Sequence, residues 1–453
     1  MNSKEIEKTV FEHKPVLKSL LKENGSLSIF QYFARSSPKT DTSNKRRKEL
    51  IDAITDKTQK LLGQEIAESV SKELKTNYFV STADHHQPLC HPFFSNANLV
   101  QSLANQKRKL KNILILACSN ISINNSSYPR GIFFHDQNLK EIRLPFFSLK
   151  HRHHPVFGLK AYKKDNLKKI PENLKEIYLD RETLNLKTYS DQITQTNFGL
   201  WKKVPGQSDA NLIYLNQEEI VLDLILKHHL AKPTVINQLI FNPDFHQAFL
   251  INFDNIIGAF STKNQKGTFL FWGLKNSRRI SLTLNKENLV SKENNYSLPL
   301  KIESIKKALK KKELIPSMAL SFIVLSFYYG LPCGGGFSQI NYLDEIKTAY
   351  LKLLKEMGGF EKEITQTKKV ITNIFRGEFI FASLANKQKI VPATLLDLIL
   401  HQDPNTSKKL ASLAQKITLK EAVSPMMSEF YKIITGHQLK KVTEIKTPPL
   451  LNV

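Results

Sequence analysis

The chain has 453 residues, of which 41% are hydrophobic and 9% aromatic; this excludes a disordered chain and leaves room for two or three packed units around a large core. Lys and Arg number 66 against 41 Asp and Glu, a net charge of +25 carried mostly by lysines spread along the whole length, and such a field attracts anionic partners. Cys90, Cys118 and Cys333 stand at unrelated spacings, which excludes a disulfide framework and, with an N-terminus lacking the apolar stretch of a secretory signal, points to a cytoplasmic protein.

Residues 1–75 read as a helical subdomain. Ile6, Val10 and Phe11, then Val16, Leu17, Leu20 and Leu21, recur mostly at spacings of three and four. Ser28 with Gln31 suits a capping box for a short helix, and the polar stretch 37–46 breaks the chain before a second helix over 48–75.

Residues 76–300 read as a mixed α/β core. Short apolar runs at 78–80, 113–117, 131–134 and 142–146 predict strands, with a helix over 99–110 between the first two, so a parallel or mixed sheet is expected. Runs at 248–253, 268–272 and 280–284, separated by the turn-forming stretches 263–267 and 275–279, predict an antiparallel meander. Residues 301–453 return to helices: a lysine-laced one over 301–313, a buried one over 318–329 and an amphipathic one over 341–357. The uncharged segment 315–337 is broken by Pro316, Pro332 and three glycines, leaving it short of the ~20 residues a membrane span needs. The fold class expected is α/β or α+β: a mixed sheet core with an antiparallel meander, flanked by helical terminal regions.

Seven of the 13 histidines fall between positions 85 and 154. His85, His86 and His91 follow the first predicted strand, His135 follows the third, and His151, His153 and His154 follow the fourth. Loops beyond strand ends converge in α/β sheets, and neutral imidazoles are the commonest ligands of transition metals. A divalent metal site, zinc or iron, is therefore expected from His85, His86, His91, His135, His153 and His154. Asp84 and Asp136 are the candidate catalytic carboxylates beside it. The tripeptide Asp84-His85-His86 resembles one motif of the DHH phosphoesterases, but residues 1–83 carry no His-x-x-x-Asp-x-Asp pattern, so the likeness stops at three residues.

Two stretches suit anion binding. Residues 118–131 are dense in small polar side chains, with Ser126 and Ser127, and end at Arg130, whose guanidinium can fork onto a carboxylate or phosphate; Arg152 is a second such cation. Gly334, Gly335 and Gly336 precede a helix, where unpaired N–H groups favour an anion. Cys90 and Cys118 are weaker nucleophile candidates. The expected function is a metal-dependent hydrolase acting on an anionic small molecule or nucleotide-like substrate. Two other readings stay open: a non-catalytic nucleic-acid-binding protein using its basic charge, and a non-metal enzyme, or a metal-dependent oxygenase or lyase, using the same histidines.

Overall fold

The computed structural model describes residues 3–35, 42–125, 128–206, 209–437 and 449–453. The N-terminal helices Ser3–His13, Pro15–Asn24, Ile29–Phe33, Asn44–Leu62 and Gln64–Thr76 form where the apolar spacing places them. Ser28 closes the capping box: its hydroxyl accepts the Gln31 N–H at 3.1 Å, and the Gln31 amide oxygen accepts the Ser28 N–H at 3.1 Å.

Four parallel strands form the central sheet, in the order Cys333–Gly334, Val80–Ser81, Asn112–Ala117, Asn211–Asn216. Its two faces are apolar because side chains alternate along each strand. Ile113, Ile115, Ala117, Leu212 and Tyr214 point into one core, which also takes up helix Pro92–Arg108 and the helices at both chain ends. Leu114, Leu116, Ile213 and Leu215 point into a second core, shared with helices from 44–76 and 217–357. Burial on both faces explains why Asn112–Ala117 reads as a continuous apolar run, and truncating Leu116 to Ala should cost about 2–5 kcal/mol. The structure is thus a mixed α/β fold, with the loops after three sheet strands, 82–91, 118–125 and 335–338, and the helix that follows Asn216 leaving one edge.

Some elements differ from the sequence expectation. Gly131–His135 and Glu141–Pro145 pair as a separate antiparallel hairpin rather than joining the parallel sheet. The apolar run 248–253 falls in helix Pro243–Asn252 and its C-cap Phe253, because the Asn242 side chain accepts the Asp244 N–H and Pro243 sits at the first helical turn. The meander is present but shifted: Phe271–Lys275 pairs with Arg278–Ile280 across Asn276 and Ser277, both at positive φ, and Thr283–Asn285 belongs to the next three-stranded sheet. Residues 315–337 fold as a buried strand end, helix Met318–Phe322 and a widened π-helical turn Ile323–Tyr328. No described helix is long and apolar enough to cross a membrane.

Candidate functional site

The loop after strand Val80–Ser81 carries four of the predicted residues, and burial sends them in different directions. Asp84 is enclosed, with one carboxylate oxygen accepting from the Asn98 amide at 3.0 Å and the other, Oδ1, unpartnered. Burial pushes its carboxyl up to about 7. His86 turns toward the sheet, with Nε2 3.0 Å from the Ser190 carbonyl and its ring stacked on Tyr214 at 5.6 Å. The His85 and His91 rings both neighbour Tyr128, at ring separations of 6.3 and 5.8 Å. His91 caps helix Pro92–Arg108, its Nδ1 accepting the Phe93 N–H at 3.3 Å, and its ring contacts Phe93 and Phe133. Desolvation by these aromatic walls lowers His85 and His86 to about 4 and His91 to about 3, so all three are neutral imidazoles at pH 7.

His135 ends the first strand of the hairpin and is held from two directions by one helix. Its Nδ1–H donates to Asp397 Oδ2 at 2.7 Å, its backbone N–H donates to Asp397 Oδ1 at 2.6 Å, and its carbonyl accepts from His401 Nε2 at 2.8 Å. Asp397 is completely buried in helix Leu395–Leu400, and His401 lies one turn further on. A capping box fixes Asp397 in turn: Oδ2 accepts the Thr394 N–H at 2.8 Å, and the Thr394 hydroxyl accepts the Asp397 N–H at 3.0 Å. A carboxylate on Nδ1–H leaves the lone pair on Nε2, the atom a general base uses.

His91 and His135 line the same cleft, of about 210 Å³, with Tyr128 and Phe133 as apolar walls and Glu141 and Arg143 on its exposed side. Arg143 and Glu141 form an ion pair at the surface, where pairing is weak enough for either partner to be drawn to a ligand.

The remaining predicted residues have other partners. Asp136 turns the hairpin, its Oδ1 accepting the N–H groups of Asn138 and Lys140 at 2.9 Å each. Arg130, at φ 65°, folds back on its own loop, with Nε donating to the Phe147 carbonyl at 3.1 Å. His151, His153 and His154 lie on a turn with Arg152, whose Nε donates to His153 Nε2 at 2.9 Å, while the His151 and His154 rings meet edge-on at 5.2 Å. Ser126 and Ser127 lie outside the described residues.

The glycine loop adjoins the cleft from behind, since the Glu378 N–H donates to the Phe93 carbonyl at 2.9 Å. Its anion, however, is internal: the Glu378 carboxylate accepts the Phe337 N–H at the entrance to helix Gln339–Met357. Burial pushes that carboxyl up to about 7. Gly334 is a strand residue, and a Cβ on Gly335 or Gly336 would come within 2.3 Å of Gln339 or Glu378. These glycines make room for the protein's own side chains.

Among the described residues no three His, Cys, Asp or Glu side chains converge as a metal-binding group. No protein-family model matches the chain, and comparison with curated proteins finds no match. Asp397, His401, Tyr128, Glu141 and Arg143 are the site residues that sequence reasoning does not reach. The only local signal among them is the Thr394-x-x-Asp397 capping box ahead of an apolar run.

Proposed function

We propose that the protein is an acid–base hydrolase, with His135 as the general base and the cleft it shares with His91 as the substrate site. The observation that carries this reading is the buried Asp397 carboxylate 2.7 Å from His135 Nδ1, on a ring that borders the cleft. Asp397 selects the tautomer with Nε2 free and stabilises the imidazolium formed when His135 takes a proton from water. His91, kept neutral by its aromatic surroundings, can hydrogen-bond a carbonyl or leaving-group oxygen without introducing a competing charge. Tyr128 and Phe133 suit an apolar or ring-shaped body, and Arg143 suits a terminal anionic group.

The test is hydrolysis of a panel of p-nitrophenyl carboxylic and phosphoric esters by the wild type and by His135→Gln and Asp397→Asn. Turnover that falls about 10²–10⁴-fold in both variants, with the fold intact by circular dichroism, supports the assignment. No turnover of any panel member by the wild type, or equal turnover by all three proteins, overturns it.

A further inference from the structure

A second surface, separate in its residues from the cleft, collects cations without acids. Between Arg143, which belongs to the cleft, and Asp165 the sequence has no acidic residue, and it carries Lys150, Arg152, Lys160, Lys163 and Lys164 together with three histidines. The structure ties the middle of this stretch to two other segments. The Ile123 N–H donates to the His154 carbonyl at 2.9 Å, the Val156 N–H to the Ile121 carbonyl at 3.0 Å and the Phe157 N–H to the Ser119 carbonyl at 3.1 Å. From the strand that follows the hairpin turn of the meander, Arg279 donates to the Asn120 carbonyl at 2.5 Å and lies over the Trp272 ring at 4.1 Å. Its neighbour Arg278 comes close enough to His154 to disfavour protonation there, as His151 and His153 also do. Backbone bonding between 119–123 and 154–157 and the Arg279 side chain on Asn120 thus hold Lys150, Arg152, Arg278, Arg279 and three imidazoles on one ridge, with Lys150, Arg152, His153, Arg278 and Arg279 exposed.

Like charges held together repel one another and lower stability unless an anion lies among them. The carboxylate that acts on this ridge, Glu218, is buried beneath it, with its oxygens occupied by the Ser119 hydroxyl at 2.7 Å and the N–H groups of Ser119 and Asn120 at 2.7 and 3.2 Å. Glu218 acts on Arg279 from below, whereas Lys150, Arg152 and Arg278 stand exposed at the surface. These outer cations can take an anion from outside.

We propose that this ridge, formed by residues 119–123, 148–158 and 275–279, binds the phosphodiester backbone of a nucleic-acid strand. The exposed cations stand on turns and a hairpin tip, so each can meet a different phosphate, and the net charge of +25 draws a polyanion toward the protein as a whole. An anionic membrane fits less well: Leu149 is the only large apolar residue of the ridge that is exposed, and interfacial binding needs a broader apolar face. Desolvation holds His154 below the ordinary imidazole range, and His151, Arg278 and His153 act in the same direction; a phosphate seated among these groups would favour the protonated ring, so binding is expected to tighten as pH falls.

The test is fluorescence anisotropy of a labelled 20-nucleotide oligo(dT) strand in 50 mM salt at pH 6 and pH 8. The expected result is binding that tightens at pH 6 and weakens steeply with salt. Arg152→Glu/Arg278→Glu should raise the Kd at least 10-fold and flatten the log–log salt slope by about 1.4, for two phosphate contacts to a single strand. His151→Gln/His153→Gln/His154→Gln should remove the pH dependence. His135→Gln should bind as the wild type does, so this surface stands or falls separately from the cleft. Lys306→Glu/Lys310→Glu, on the basic helix Ile302–Lys310, carries the same net charge change. An equal loss in that control would make the binding a property of net charge and overturn the proposal. Absence of binding at 100 μM protein overturns it too, as does a ridge variant that loses binding to phosphatidylserine vesicles while keeping the oligonucleotide.

Discussion

Two groups of histidines, close in sequence, occupy opposite physical situations. His91 and His135 border a cleft walled by aromatic rings, and a buried carboxylate orients one of them. His151, His153 and His154 crowd onto a turn with Arg152 and Arg278 nearby. In the cleft, desolvation and a fixed hydrogen bond set each ring's tautomer. On the turn, charge repulsion and solvent govern. A histidine's chemistry is therefore set less by its neighbours in sequence than by what surrounds its ring.

Breaking the Asp397–His135 contact should have the largest effect. Asp397→Ala removes the acceptor for the His135 side chain, the His135 N–H and the Thr394 N–H, and loss of a buried, multiply bonded carboxylate typically costs 3–5 kcal/mol. Urea unfolding should show a loss of about that size. Asp397→Asn, which keeps the shape, should lose activity far more than stability. If both variants lose stability alone, the contact is only a clamp between hairpin and helix.

Asp84 is next. Its carboxyl is pushed up to about 7 in the folded protein, whereas the unfolded value lies near 3.9. The folded pKa is the higher one, so the stabilising contribution is complete below the unfolded value and is lost as pH rises through 7, when a charge is forced into the interior. Asp84→Asn should therefore gain stability relative to wild type between pH 5 and pH 8, by on the order of 2 kcal/mol. A difference between the two proteins that does not change with pH would mean that Asp84 is not titrating in this window.

The neutral histidines act in the opposite sense. His91 is lowered to about 3, and His85 and His86 to about 4, against roughly 6.5 unfolded. Between those values the unfolded chain binds more protons, so stability is intact above pH 6.5 and falls as pH drops toward 3. Each such ring adds a slope of up to about 1.4 kcal/mol per pH unit. His91→Phe keeps an aromatic ring in the same wall and should make the acid transition shallower when followed by circular dichroism.

The fold is legible in the sequence wherever a structure depends on nearby residues. The Ser28 cap, the parallel strand at 112–117 and the turn at Asn276–Ser277 are of this kind. The run 248–253 misleads because a short apolar stretch suits strand and helix alike, and the cap at Asn242 decides between them. The site is legible only as a concentration of histidines. Their division into cleft and ridge, and the choice of Asp397 over Asp84 or Asp136 as the partner, depend on contacts spanning up to 262 residues. No periodicity encodes such a contact. Asp136 looks catalytic beside His135, yet a carboxylate two residues before a backbone N–H closes a turn just as readily, and it does so here.

The smallest effect should come from the ridge. His153 is exposed and makes its described hydrogen bond with Arg152, also exposed; neither side chain fills a core position, so nothing is left unsatisfied when one is removed. Surface changes of this kind usually alter stability by less than about 0.5 kcal/mol. His153→Gln should therefore unfold at the same urea concentration as the wild type at pH 8. A loss of more than about 1 kcal/mol at pH 8 would show that the turn is packed as tightly as the cleft and would remove the distinction between the two groups.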